Sequence, residues 1–197
     1  MLTRRTFLKT SIAANAALWA PASLAFSVAH VIQGEQPLLI FADEKSPNSA
    51  LFAEQFSEQT STVGLDIGLH FDTFNAFCSD HANGWVSGIT RDSDFFVLQQ
   101  LAAQHRYITA YSAMHTSSST QLTHQVTSSA DKAPLLAEAL ATSKEKWPVW
   151  LADNLAVLNS QQLASHTALS ETSTSQSATD NHVLVSWLFV PSNPATR

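Results

Sequence analysis

The feature that most constrains this 197-residue chain is an alternation, across its first half, between unbroken apolar runs and one-sided helical patterns. Pro37-Leu38-Leu39-Ile40-Phe41-Ala42 is apolar throughout and ends in Asp43-Glu44, the pattern of a strand covered on both faces. A helix is expected next, because Ser46 suits the N-cap and Pro47 the first helical position, with Leu51, Phe52 and Phe56 on one stripe to about Gln59. Residues 63–69 read as a second strand, followed by a Phe-rich helix to about His81 that Asn83-Gly84 ends. Residues 85–89 read as a third strand, after which Asp92 or Ser93 can cap a helix carrying Phe95, Phe96, Leu98, Leu101 and Ala102. Such alternation predicts parallel strands joined by right-handed crossovers, with helices on both faces of the sheet.

From Arg106 the pattern changes to two extended runs, residues 106–115 and 121–127, separated by Ser117-Ser118-Ser119-Thr120. An antiparallel hairpin follows from that, so the sheet is mixed. Residues 132–159 are helical in composition, but Pro148 removes a backbone donor, which predicts two helices meeting near Trp147-Pro148. Residues 165–181 are rich in Ser and Thr and read as a loose surface loop, before residues 182–190 return to a buried strand. The expected fold is a single three-layer α/β domain over residues 26–197, with a parallel βαβαβα half followed by a hairpin, helices and a C-terminal strand.

The first 25 residues, MLTRRTFLKTSIAANAALWAPASLA, have a basic start, a moderately apolar stretch and small residues before Phe26. Within them Thr3-Arg4-Arg5-Thr6-Phe7-Leu8-Lys9 resembles the twin-arginine (Tat) signal pattern [ST]-R-R-x-F-L-K at every specified position. Ser23-Leu24-Ala25 places small residues ahead of a cleavage site after Ala25, with Ala22 as the alternative. The resemblance implies export by the Tat translocase to a bacterial periplasm, in the folded state, with or without a cofactor-bearing exported partner; it leaves the cofactor unknown. Losing Arg4, Arg5 and Lys9 leaves seven basic residues against 16 acidic ones, so the net charge moves from −6 to −9. Residues 26–197 contain no run of about 20 apolar residues, so no stable membrane insertion is expected after cleavage.

Composition excludes several classes. Only 13% of residues are charged and 45% are hydrophobic, which is incompatible with disorder throughout. With 5 glycines there is no G-x-G-x-x-G and no G-x-x-x-x-G-K-[ST], so those phosphate cradles are absent. An acidic chain without clustered Lys and Arg is also a poor nucleic-acid binder. The single Cys78 cannot form an internal disulfide, and its spacing from Phe71 and Phe74 puts it on an apolar helix face.

In parallel sheets ligands sit outside the carboxyl ends of the strands, which directs attention to residues 43–48, 70–74 and 90–94. Thr90-Arg91-Asp92-Ser93 opens a helix, where free N–H groups and Arg91 suit a carboxylate or phosphate, although Asp92 and Asp94 satisfy the helix dipole without any ligand. Asp43 and Glu44 are candidate acid, base or cation-binding groups, or simply solvated. The run from His70 to His81 also contains Cys78, but His70 and His81 stand about 16 Å apart on a continuous helix. Only Cys78 and His81 could chelate from adjacent turns. A two- or four-residue loop centred on Ser118-Ser119 brings His115 and His124 diagonally together on one face, within reach of a shared ion or carboxylate. A three-residue loop places them on opposite faces. Ser87 lies inside a strand and departs from the G-x-S-x-G nucleophile elbow. Two function classes remain. The first is a non-catalytic periplasmic ligand-binding or accessory protein; the other is a small periplasmic enzyme, such as a hydrolase, with Asp43, Arg91 and His70 or His115 in its site.

Overall fold

The computed structural model describes residues 37–56, 61–174 and 183–192. The signal motif Arg4, Arg5, Phe7, Leu8, Lys9 and the expected cleavage after Ala25 lie outside the described residues. In chain order the elements are β1 (Leu38–Ala42), α1 (Pro47–Ala53), β2 (Ser61–Gly64), α2 (Ile67–Asp80), β3 (Trp85–Arg91), α3 (Asp92–Gln104), β4 (Tyr107–Ser117), β5 (Gln121–Ser128), α4 (Ala133–Ser143), a 3-10 turn (Lys144–Lys146), α5 (Trp147–Asp153), α6 (Leu155–Leu158), β6 (His166–Ser173) and β7 (Val183–Pro191). The seven strands form one sheet in the order β2-β1-β3-β7-β4-β5-β6. β2, β1 and β3 are mutually parallel, and the remaining pairings are antiparallel. The α/β class and the mixed sheet are therefore as expected.

Alternating side chains of β1 explain its unbroken apolar run: Ile40 packs into one core cluster, and Leu39 and Phe41 pack into the other. The first cluster gathers Phe52 of α1, Leu136 and Leu140 of α4, and Trp147 and Leu151 of α5. The second gathers Phe74 and Phe77 of α2 with Leu98 and Ala102 of α3. β7 is buried on both faces for the same reason as β1, and it fills the centre of the sheet between β3 and β4. Gly88 of β3 makes this packing possible. A Cβ there would stand 2.6 Å from the Phe41 carbonyl oxygen and 3.0 Å from Cζ2 of Trp187.

Several boundaries differ from expectation. β2 stops at Gly64 because Asp66 caps α2 through the Leu69 N–H, so residues 65–69 leave the sheet. β3 runs on to Arg91, which itself occupies the N-cap of α3; neither Asp92 nor Ser93 caps that helix. The two later helices are separated by the 3-10 turn, with Lys144 at φ 50°; the second starts at Trp147 with Pro148 in its first turn, close to where the proline predicts the junction.

The segment expected as a loose loop forms edge strand β6 over His166–Ser173; residues 175–181 lie outside the described residues. Its Ser and Thr content suits an edge strand, where Ala168, Ser170 and Thr172 turn inward and the intervening residues face solvent. Ser170 also donates to the Ala137 carbonyl of α4. No helix among the described residues is long and apolar enough to cross a membrane.

Candidate functional site

The order β2-β1-β3 means that the chain leaves β1 toward one side and returns to its other side, the switch point at which open α/β sheets form a ligand crevice, here outside the carboxyl ends of β1 and β3. Asp43 follows β1 and Arg91 ends β3 at that crevice. Their side chains meet, with Arg91 Nε 3.7 Å from Asp43 Oδ2; the Asp43 side chain is almost buried, whereas that of Arg91 is 62% exposed. Asp43 is held from below. Its carboxylate accepts the Lys45 N–H at 2.9 Å, and its own N–H donates to Ser49 Oγ at 2.8 Å. Ser49 in turn donates to the Ile89 carbonyl at 2.7 Å, tying β1, α1 and β3 together at this end. In the sequence Ser49 reads only as a first-turn helical serine; its role depends on the contact of α1 with Ile89.

Asp94, in the first turn of α3, completes the cluster. Burial raises its carboxyl above the usual aspartate range, the Arg91 charge opposes that shift, and the Asp43 charge reinforces it. The crevice thus holds an anchored carboxylate, a second carboxyl that binds its proton more tightly, and a guanidinium open to solvent. Anions and acid–base chemistry are both within reach of these groups. Of the other expected ligand residues, Glu44 and Ser93 are exposed beside the crevice. Thr90 is buried, and its Oγ1 accepts the Trp187 indole N–H at 3.0 Å, so it supports the sheet instead of facing a ligand.

The His70-to-His81 run does not converge. His70 lies near the start of α2 beside Gly64 of β2, while His81 caps the opposite end of α2 and stacks on Phe77 with ring centroids 4.8 Å apart. Cys78 is buried, which pushes its thiol up to about 11 despite a hydrogen bond with Tyr107. A thiol held protonated in this way is a poor nucleophile and a poor metal ligand. Among the described residues no group of three or more His, Cys, Asp or Glu side chains could hold a metal ion.

His115 and His124 do converge, with the pairing shifted by two residues from the expectation. Ser118 N–H donates to the Gln121 carbonyl at 2.8 Å, which centres the hairpin turn on Ser119-Thr120 rather than Ser118-Ser119. His115 therefore pairs directly with His124, not with Leu122. The two Nδ1 atoms are 2.6 Å apart and hydrogen-bond to each other. His115 Nε2 is 2.7 Å from Ser186 Oγ on β7, and Ser186 Oγ is 3.0 Å from the Tyr111 hydroxyl. The Trp147 ring stacks on His115 with centroids 3.8 Å apart. All four polar side chains are buried, and His124 Nε2 has no partner. Burial lowers both imidazoles, His124 to about 4 and His115 well below its ordinary value, with His124 adding a second downward effect on His115.

Comparison with protein-family models, with curated proteins and with solved structures returns no match in any of the three.

Proposed function

We propose that this chain is a Tat-exported periplasmic protein that binds a small carboxylate- or phosphate-bearing ligand, without catalysis, at the carboxyl ends of β1 and β3. The observation that carries the binding reading is the Asp43–Arg91 pair at the crevice: the anchored Asp43 holds one edge of a guanidinium that otherwise faces solvent. Arg91 also sits at the N-terminus of a 13-residue helix with no side-chain cap, so the α3 amides reinforce the same charge preference. Asp92 and Asp94 oppose a highly charged anion, which favours a single carboxylate over a polyphosphate. The export reading rests on Arg4 and Arg5 within the Tat-like motif.

Calorimetric titration with a panel of small carboxylates and with inorganic phosphate tests the binding reading. Saturable binding by wild type that Arg91→Ala abolishes is the expected result; a panel that binds both proteins equally, or neither, counts against it. Replacing Arg4 and Arg5 by Lys should leave precursor in the cytoplasm, and normal periplasmic accumulation of that variant would overturn the export reading.

A second reading, a small hydrolytic enzyme, draws on Asp94. A carboxyl with a raised proton affinity beside the more fully anchored Asp43 is the arrangement of an acid and its companion base. Turnover of ester or phosphoester substrates lost in Asp94→Asn would favour this reading over simple binding.

A further inference from the structure

The Tyr111–Ser186–His115–His124 chain spans three adjacent strands and lies away from the crevice, on the face covered by α4 and α5. Its polarity follows from counting hydrogens. Each neutral imidazole carries one N–H, and only one hydrogen can lie between the two Nδ1 atoms. If His124 donated to His115, the chain would run toward Tyr111 and leave the phenol hydrogen bare, along with the His124 Nε2 lone pair. If His115 donates, Tyr111 donates to Ser186, Ser186 donates to His115 Nε2, and a phenol oxygen that already donates tolerates an unused lone pair. The second arrangement is the cheaper one, and it puts a hydrogen on His124 Nε2, the one atom of the chain without a partner.

One added proton on His124 reverses this chain. His124 must then donate through Nδ1, His115 moves its hydrogen to Nε2, Ser186 turns toward Tyr111, and two hydrogens are bare inside the core beside an uncompensated positive charge. A second proton sets two N–H groups against each other across the 2.6 Å contact and breaks it. Nothing nearby compensates. Tyr107 and Tyr111 are the other titratable groups on β4, Tyr107 packing into the opposite core cluster; burial holds both protonated, and Ser186 on β7 carries no charge. The charged residues on the packed elements stand at the surface or part-buried: Glu138 on α4, Lys144, Glu145 and Lys146 in the 3-10 turn, Asp153 on α5, and His166 and Glu171 on β6. Stacking of His115 on Trp147 offers a cation some return, but that ring also shields the pair from water.

We propose that the His115–His124 pair is an acid-opened latch, which clamps the β4–β5 hairpin under the Trp147 segment while both imidazoles are neutral and releases it when they take up protons. The release is local, because β1 and β3 pair with each other and pack Leu39, Phe41 and Val86 against α2 and α3 in the second cluster, which holds neither Tyr111 nor Trp147. Each proton gained on opening raises the opening equilibrium tenfold per pH unit below the ordinary histidine pKa of 6.5, so both together raise it about a hundredfold per unit.

Hydrogen exchange measured segment by segment at pH 7 and pH 5, corrected for the intrinsic pH dependence of exchange, tests this. Wild type should lose protection at pH 5 in β4, β5 and α5 and keep it in β1 and β3, whereas His115→Leu/His124→Leu should show equal protection at both pH values. Uniform loss, no loss, or an unchanged pH response in the double variant overturns the proposal. Should that variant fail to fold, imidazole 15N shifts of wild type decide the matter: both rings should remain neutral as long as the hairpin is protected. A ring that takes a proton above pH 6 within a protected hairpin overturns it as well.

Discussion

His115 and His124 face each other across β4 and β5 with their Nδ1 atoms 2.6 Å apart, in a site closed on one side by Trp147 and on the other by Ser186. The pair is a polar element inside an apolar layer, and its cost is met only while every hydrogen but one has an acceptor.

Stability should fall as pH drops below 6.5, the ordinary histidine value. The unfolded chain takes up protons there while the folded chain, with His124 held down to about 4, does not. Each histidine then costs about 1.4 kcal/mol per pH unit, or about 2 kcal/mol between pH 6.5 and 5. Urea denaturation at pH 7 and pH 5 measures it; a flat profile over that range contradicts the buried neutral pair.

The polarity of the chain predicts an ordering of two substitutions. Ser186→Ala strands the Tyr111 hydrogen and His115 Nε2 together and should cost about 2–4 kcal/mol. Tyr111→Phe removes only the first donor, after which Ser186 can still donate to His115, and should cost about 1 kcal/mol. Denaturant midpoints of the two variants at pH 7 check the order.

Gly88→Ala should destabilise the fold by about 1–3 kcal/mol, since its Cβ would press on the Phe41 carbonyl and the Trp187 ring from 2.6 and 3.0 Å. Thermal unfolding gives the shift directly, and a neutral result would mean that β1 and β3 can separate at no cost.

Arg91→Ala should change stability by less than about 1 kcal/mol, because a 3.7 Å ion pair with an exposed guanidinium contributes little. A larger loss in urea denaturation would assign Arg91 a structural task in place of a binding one.

Cys78 should resist alkylation at pH 8 in the native protein and react freely in urea, because its thiol is pushed up to about 11 by burial. Mass spectrometry after iodoacetamide treatment distinguishes the two states.

Much of the fold is legible along the chain. The double-faced apolar runs at β1 and β7, the Ser46-Pro47 start of α1 and the hairpin are local patterns, because strand burial, helix capping and turn chemistry act over a few residues. β6 is not legible in the sequence, since its alternation of Ala168, Ser170 and Thr172 with exposed residues is carried by small side chains that hydropathy does not separate from a loop.

The candidate sites needed more than local pattern. Residues 43 and 91 each stand out by their place at a strand end, but their pairing depends on β1 and β3 being neighbours, and Ser49 matters only because α1 lies against Ile89. The histidine pair depends on where the turn falls, since sliding it from Ser118-Ser119 to Ser119-Thr120 shifts the pairing by two residues and converts a diagonal approach on the same face into direct contact. Ser186 joins His115 from 71 residues away because β7 enters the sheet beside β4, a choice set by the summed burial of both its faces. Local periodicity thus specified most of the elements, β6 excepted, and which of their faces are apolar. Which polar groups meet was set by strand order and register, which depend on the packing of the whole sheet.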